Sequence, residues 1–128
     1  MRTLTLDDLR SSVGEPLGRS GWIDVTEDMV SAFARATGAG PEYLALSLTN
    51  RVLPEIVEVA ASAGLNIGTD QVRFPGTLAA GDRVRGDATL VSCTEVTGGV
   101  QTVMRITMEV EDRDTPACVV LAVSRWLA

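Results

Sequence analysis

Two spacings of apolar residues divide the chain. As far as residue 64 the long apolar runs repeat every three to four residues, and from residue 69 they alternate. Residues 1–20 read as a lead-in with a short helical piece around Leu4 to Leu9, and "SGWIDV" (20–25) reads as a short strand. Thr26 is placed to cap the helix that follows. Glu27 and Asp28 suit its positive end, and Met29, Val30, Phe33 and Ala36 form its apolar face. Gly38 closes it, since glycine accepts the left-handed backbone of a helix end.

A second helix is predicted from about Glu42 to Ala63, ending at Gly64. Leu44, Leu48, Val52, Ile56 and Ala60 fall on one face, and Leu46, Leu53, Val57 and Val59 widen it, as in a helix wrapped by the rest of its domain. Tyr43, Ser47, Asn50, Arg51, Glu55 and Glu58 make the remaining polar stripe. Pro54 has no N–H for the carbonyl of Asn50, so a kink is expected there.

Strands are predicted over "DQVRFP" (70–75), along a long run from Arg83 to Ser92, from Val100 to Glu111, and through "ACVVLAVSRWL" (117–127). "TGG" (97–99) is a hairpin turn between the second and third of these. A run of long antiparallel strands after one strongly apolar helix is an α+β layout in which a single sheet wraps that helix.

The 128 residues fit one domain, 1–128, with enough length to bury a core. Net charge is −6, and all eleven basic residues are Arg, scattered along the chain, which argues against a nucleic-acid surface. Lys and His are absent, which removes Schiff-base chemistry, Ser-His or Cys-His nucleophiles and His-dependent zinc sites. No metal or other cofactor is expected. Cys93 and Cys118 lie in strand-like runs and read as small buried hydrophobes. "MRTLTLDDLR" lacks the apolar core of a signal peptide, and no run is long enough to span a membrane, so a soluble cytoplasmic protein is expected.

"VTEDMVSAFARATG", "LALSL" and "QVRFPGTLAAGDRVRGDATL" together resemble the MaoC-type domains, the (R)-specific enoyl-CoA hydratase and NodN-like group. The "VRFP…GDRVR" element is the most specific piece, and the resemblance covers residues 20–127. It implies the hot-dog fold, a long antiparallel sheet around a central helix. In the hydratases of this group an Asp follows "TG", and a His lies five residues on. An overhanging loop comes next, and the Asp–His pair moves the proton of the added water. Here those positions hold Ala39 and Leu44, and the overhang before "LALSL" is missing.

The resemblance also places an acyl group beside the central helix, at an interface between two protomers. It makes Glu42, Tyr43 and Asn50 the candidate catalytic groups, with Ser47 and Arg73 as substrate contacts. Asn50 falls where hydratases often carry a Ser that orients the thioester carbonyl. The same side chains also read as the solvated stripe of an exposed helix, Glu42 as a charge favoured at a helix start, and Arg73 as a structural partner. Two functions follow. One is a repurposed enzyme (a lyase, isomerase or cyclase type) that takes a large acyl or polyketide-type substrate, carrier- or CoA-linked. It would guide cyclisation, isomerisation or elimination by shape and hydrogen bonds. The other is a non-catalytic subunit of a heterodimeric dehydratase. Either a homodimer or a heterodimer is expected, since a lone sheet of this kind has open edges.

Overall fold

A computed structural model describes all residues, 1–128. In chain order it contains β1 (Arg2–Thr5), α1 (Leu6–Ser11), β2 (Pro16–Arg19), β3 (Ile23–Asp24), α2 (Glu27–Thr37), α3 (Pro41–Ser47), α4 (Thr49–Ile56), β4 (Val57–Ala60), β5 (Ala63–Arg73), β6 (Arg83–Val96), β7 (Gly99–Val110) and β8 (Cys118–Leu127). The main sheet is antiparallel in the order β2-β6-β7-β8-β5, with β3 also on β6. The helices pack on one face of this sheet, which is the α+β layout expected.

The alternation from residue 83 onward sets the core. Val84, Gly86, Ala88 and Leu90 of β6, Val100 to Val110 of β7 at every second position, and Cys118 and Val120 of β8 are buried on the helix side. Each large apolar side chain so buried contributes about 1.5–3 kcal/mol. Two clusters result. One gathers Leu44, Leu48 and Val52 with Val84, Ile106, Met108 and Val120, and the other gathers Leu4, Leu9 and Leu17 with Ile56, Leu90, Val100 and Met104. The opposite face carries the odd-numbered polar positions as an ion-pair ladder. Arg85 meets Glu109 at 2.7 Å, Arg19 meets Asp87 at 2.9 Å and Arg83 meets Glu111 at 2.7 Å, while Arg85 also stacks on Trp22. Each exposed pair of this kind adds little, about 0–1 kcal/mol.

The helix before residue 38 forms as expected. The Thr26 hydroxyl accepts from the Met29 N–H at 3.2 Å, and Gly38 closes the end with φ 73°. The central helix does not run from 42 to 63. It is two short helices meeting at Leu48, and it stops at Ile56. Pro54 removes one hydrogen bond from the last turn, and β-branched Val57 and Val59 then continue as β4. That strand lies parallel to β1, Arg2 opposite Val57 through Thr5 opposite Ala60. The N-terminal piece likewise starts as a strand, and its helix begins only at Leu6, where Thr5 and Asp8 form a reciprocal cap. The strand predicted at 70–75 begins at Ala63 instead. It was hidden because two irregularities, at Asn66/Gly68 and Asp70/Arg73, break its alternation.

Helix α4 touches the sheet closely at one point. A Cβ on Gly86 of β6 would stand 2.5 Å from Cγ2 of Val52, so glycine is what lets the helix lie this near.

Candidate functional site

A cavity of about 570 Å³ opens between the helices and the sheet. Its roof is Leu46, Ser47, Thr49, Asn50, Leu53 and Pro54 of α3 and α4, continued by Val57, Glu58 and Val59 of β4. Its floor is Ile106 of β7 with Ala122, Ser124 and Trp126 of β8, and Asn66 and Thr69 of β5 form the side. Met1 reaches one end. The cavity lies where the two core clusters part: Ile106 belongs to one, Val57 to the other, and Leu53 packs against both.

Half of the sixteen lining residues are hydrophobic, and the polar ones are mostly uncharged. Glu58 is the only lining residue with an ionisable side chain, held near the Thr3 hydroxyl at 3.5 Å. Thr49 donates its hydroxyl to the Leu46 carbonyl at 2.7 Å, and the Asn50 amide donates to the Ser47 carbonyl at 3.2 Å, which fixes both to the helix backbone. Because Pro54 cannot donate, the Asn50 carbonyl receives no helical hydrogen bond from that position beside the cavity. Trp126 is held by its ring N–H, which donates to the Thr102 hydroxyl at 2.9 Å.

Of the residues singled out from the sequence, Asn50 and Ser47 line this cavity, and Glu42, Tyr43 and Arg73 do not. Tyr43 is half-exposed and packs against Phe74, with ring centroids 5.3 Å apart. Glu42 is exposed and folds back over Gly40 at the start of α3. Arg73 is exposed near the end of β5, with its backbone paired to Val119. The predicted set is therefore divided along the helices: Ser47 at the end of α3 and Asn50 at the start of α4 reach the cavity, and Glu42 and Tyr43 at the start of α3 do not.

Sequence reasoning missed Asn66, Thr69, Ser124 and Trp126. Ser124 was legible in principle, since Cys118, Val120, Ala122, Ser124 and Trp126 share one face of β8. The irregularities in β5 concealed Asn66 and Thr69. Neither cysteine is placed as a nucleophile: burial pushes the Cys118 thiol up to about 11 and also raises that of Cys93. No three His, Cys, Asp or Glu side chains converge as a metal site would require, and no helix is long and apolar enough to cross a membrane.

The backbone is similar to that of a MaoC-like dehydratase from Rhodospirillum rubrum, with a TM-score of 0.66 over 91% of this chain and 93% of that one, at 13% identity. Sequence similarity goes further. The chain is 32% identical to 3-hydroxyacyl-thioester dehydratase Z of Mycobacterium tuberculosis, across all of both proteins. The chain belongs to the MaoC-like hot-dog family. Nodulation protein N of Rhizobium leguminosarum is a further relative of this MaoC-like protein, 33% identical over 91% of this chain and 88% of its own. No family model matches the chain.

The alignment with dehydratase Z runs over 151 positions against the 128 residues of this MaoC-like chain, so the relative carries stretches without a counterpart here. Ala39 and Leu44, the positions that the resemblance gives to the Asp and His, stand away from the cavity. The Ala39 N–H donates to the Thr37 hydroxyl at 3.1 Å, and Leu44 is buried in the larger core cluster.

Proposed function

We propose that this protein holds a large acyl or polyketide-type chain in the cavity under α3 and α4. There it promotes cyclisation, isomerisation or elimination by shape and hydrogen bonding, rather than by the acid–base pair of hydratases. The cavity itself carries this reading: it is largely apolar, beside the central helices of a hydratase-type fold, with one carboxylate on its wall. Positioning alone lowers a barrier substantially when reacting atoms are held in an attack geometry. Asn50 and Ser47 remain the proposed polar contacts from the helix side, and Glu58 replaces Glu42 as the nearest carboxylate.

Trp126 supplies the test, because it lines the cavity while Trp22 lies on the opposite face of the sheet under Arg85. Titration with a decanoyl thioester of N-acetylcysteamine is expected to change the emission of Trp126 saturably. Ala122→Phe, which fills the floor, is expected to weaken binding by about tenfold or more, roughly 1.4 kcal/mol. Unchanged affinity in that variant would place the ligand elsewhere and end the proposal.

The second reading, a non-catalytic half that shares its cavity with a partner, draws on β5. This eleven-residue strand has a free edge, and Leu65 and Ile67 on it are 48% and 47% exposed. An unpaired strand with exposed apolar side chains is a template for pairing. Both readings therefore expect a dimer through β5, at twice the 13.5 kDa of one chain. Sedimentation at micromolar concentration checks this, and Ile67→Lys is expected to shift the protein to monomer. A homogeneous monomer of the unaltered protein would refute the pairing.

A further inference from the structure

We propose that one half of the sheet's outer face, away from the cavity, is a docking surface for an acidic amphipathic helix of a partner protein. The proposal is independent of what the cavity holds. Val103 of β7 stands between Ser92 of β6 and Val123 of β8, and its buried neighbours Thr102 and Met104 point to the helices, so this row points outward. An irregularity between Leu90 and Ser92 adds Val91 to the row, 37% exposed. Two exposed arginines bracket it. Arg105 opposes the half-buried Leu121 on one side, and Arg125 opposes Gln101 on the other.

Charge balance separates these two from the other arginines of the outer face. Arg19, Arg83 and Arg85, in the half nearer the start of β6, all meet carboxylates. Arg105 has no carboxylate within ion-pair distance, and Arg125 donates to the neutral Gln101 side chain at 2.8 Å. Asp87 is held by Arg19, and Asp70 at the β5 edge lies beyond Leu121, two strands from Arg105. In a chain of net charge −6, two uncompensated cations around an apolar row complement a partner with carboxylates around apolar side chains. Strands β7 and β8 are paired on both sides, so the partner meets side chains here and cannot add as a strand. Pairing at the β5 edge also leaves the surface open, because strands add in the plane of the sheet. Gln101, the partner of Arg125, is four residues from Arg105, about 13 Å along a strand. A helix sets side chains of one face about 10.5–12 Å apart at i and i+7 or i+8, with i+3 and i+4 between them. Carboxylates at the outer positions and apolar groups at the inner ones match this surface.

The probe is a fluorescein-labelled, Ala-rich helical peptide with Glu at i and i+7 and Leu at i+3 and i+4, read by anisotropy with the whole protein at low salt. It is expected to bind about tenfold or more tighter than the same peptide with Lys in place of Glu. Arg105→Glu with Arg125→Glu is expected to weaken binding by about tenfold or more, and Val103→Ser, which keeps both charges, by about threefold. Arg35→Glu with Arg51→Glu makes the same change of charge at two exposed helix arginines and is expected to stay within about twofold. Thermal melts confirm that each variant is folded. An acidic peptide that binds no tighter than the Lys form, or an equal loss in the Arg35 and Arg51 variant, overturns the proposal. Phosphatidylglycerol vesicles that bind through Arg105 and Arg125 while the peptide does not would overturn it as well, making this face a membrane contact.

Discussion

Gly86→Val is expected to melt well below the unaltered protein. Gly86 sits near the start of β6 opposite Met108, and its N–H donates to the Ser20 hydroxyl at 2.9 Å. Its carbonyl accepts from the Ser20 N–H at 2.9 Å, so both backbone groups of Gly86 are tied to Ser20 and resist a shift of the strand. A side chain would meet Val52 at once, with Cβ to Cβ at 3.0 Å. Val52 is fully buried on α4 and branched at Cβ, so it has no rotamer that clears the space. Overpacked cores lose about 1–3 kcal/mol and sometimes more, and this site is expected at the upper end. Gly86→Ala should lose less, and adding Val52→Ala should recover part of that loss, because the second change removes Cγ2, the atom that stands closest. Circular-dichroism melts of the three variants check the series. If Gly86→Val melts like the parent, α4 does not press on the sheet at Val52.

The second large effect is chemical. Hydration of crotonyl-CoA and longer enoyl-CoAs is expected to fall at least about 10²–10⁴-fold below that of an ordinary hydratase, the contribution of one positioned acid–base group. The chain has no His, the cavity has one carboxylate, and that carboxylate lies on β4 rather than at the start of the helix. The loss of enoyl-thioester absorbance, followed with protein freed of host enzymes, measures it. Turnover within about tenfold of a hydratase would refute the expectation. Any weak residual rate should vanish in Glu58→Gln if that group carries the proton.

Most of the sheet was legible because one face of it is buried. Val84 and Ala88 alternate with Arg83, Arg85 and Asp87, which meet opposite charges across the strands, and Met104 and Ile106 flank the exposed Arg105, so period two survives in the sequence. The helix end was not legible. Val57 and Val59 fit a widened helix face as well as a strand, and only the distant β1, more than fifty residues earlier, decides between them. The site divided in the same way. Ser47 and Asn50 followed from helical spacing, but Asn66 and Thr69 stand on a strand whose irregular pairing erases its pattern. Tyr43 shared the polar stripe with Asn50 on a continuous helix, and the break at Leu48 puts the two on separate helices.

The strand order has a consequence for synthesis. β2 and β5 are made early, yet each pairs only with a strand made later, β2 with β6 and β5 with β8. The centre of the sheet is the three-strand meander of β6, β7 and β8, which closes through neighbouring hairpins and is made after both of them. Until then the first half of the nascent chain has apolar helices and no surface to lie on. Folding of the sheet therefore waits for β8, and the meander, whose contacts are local, is the part expected to order first once it is free. A chain halted before Cys118 would leave β5 without the strand that holds it.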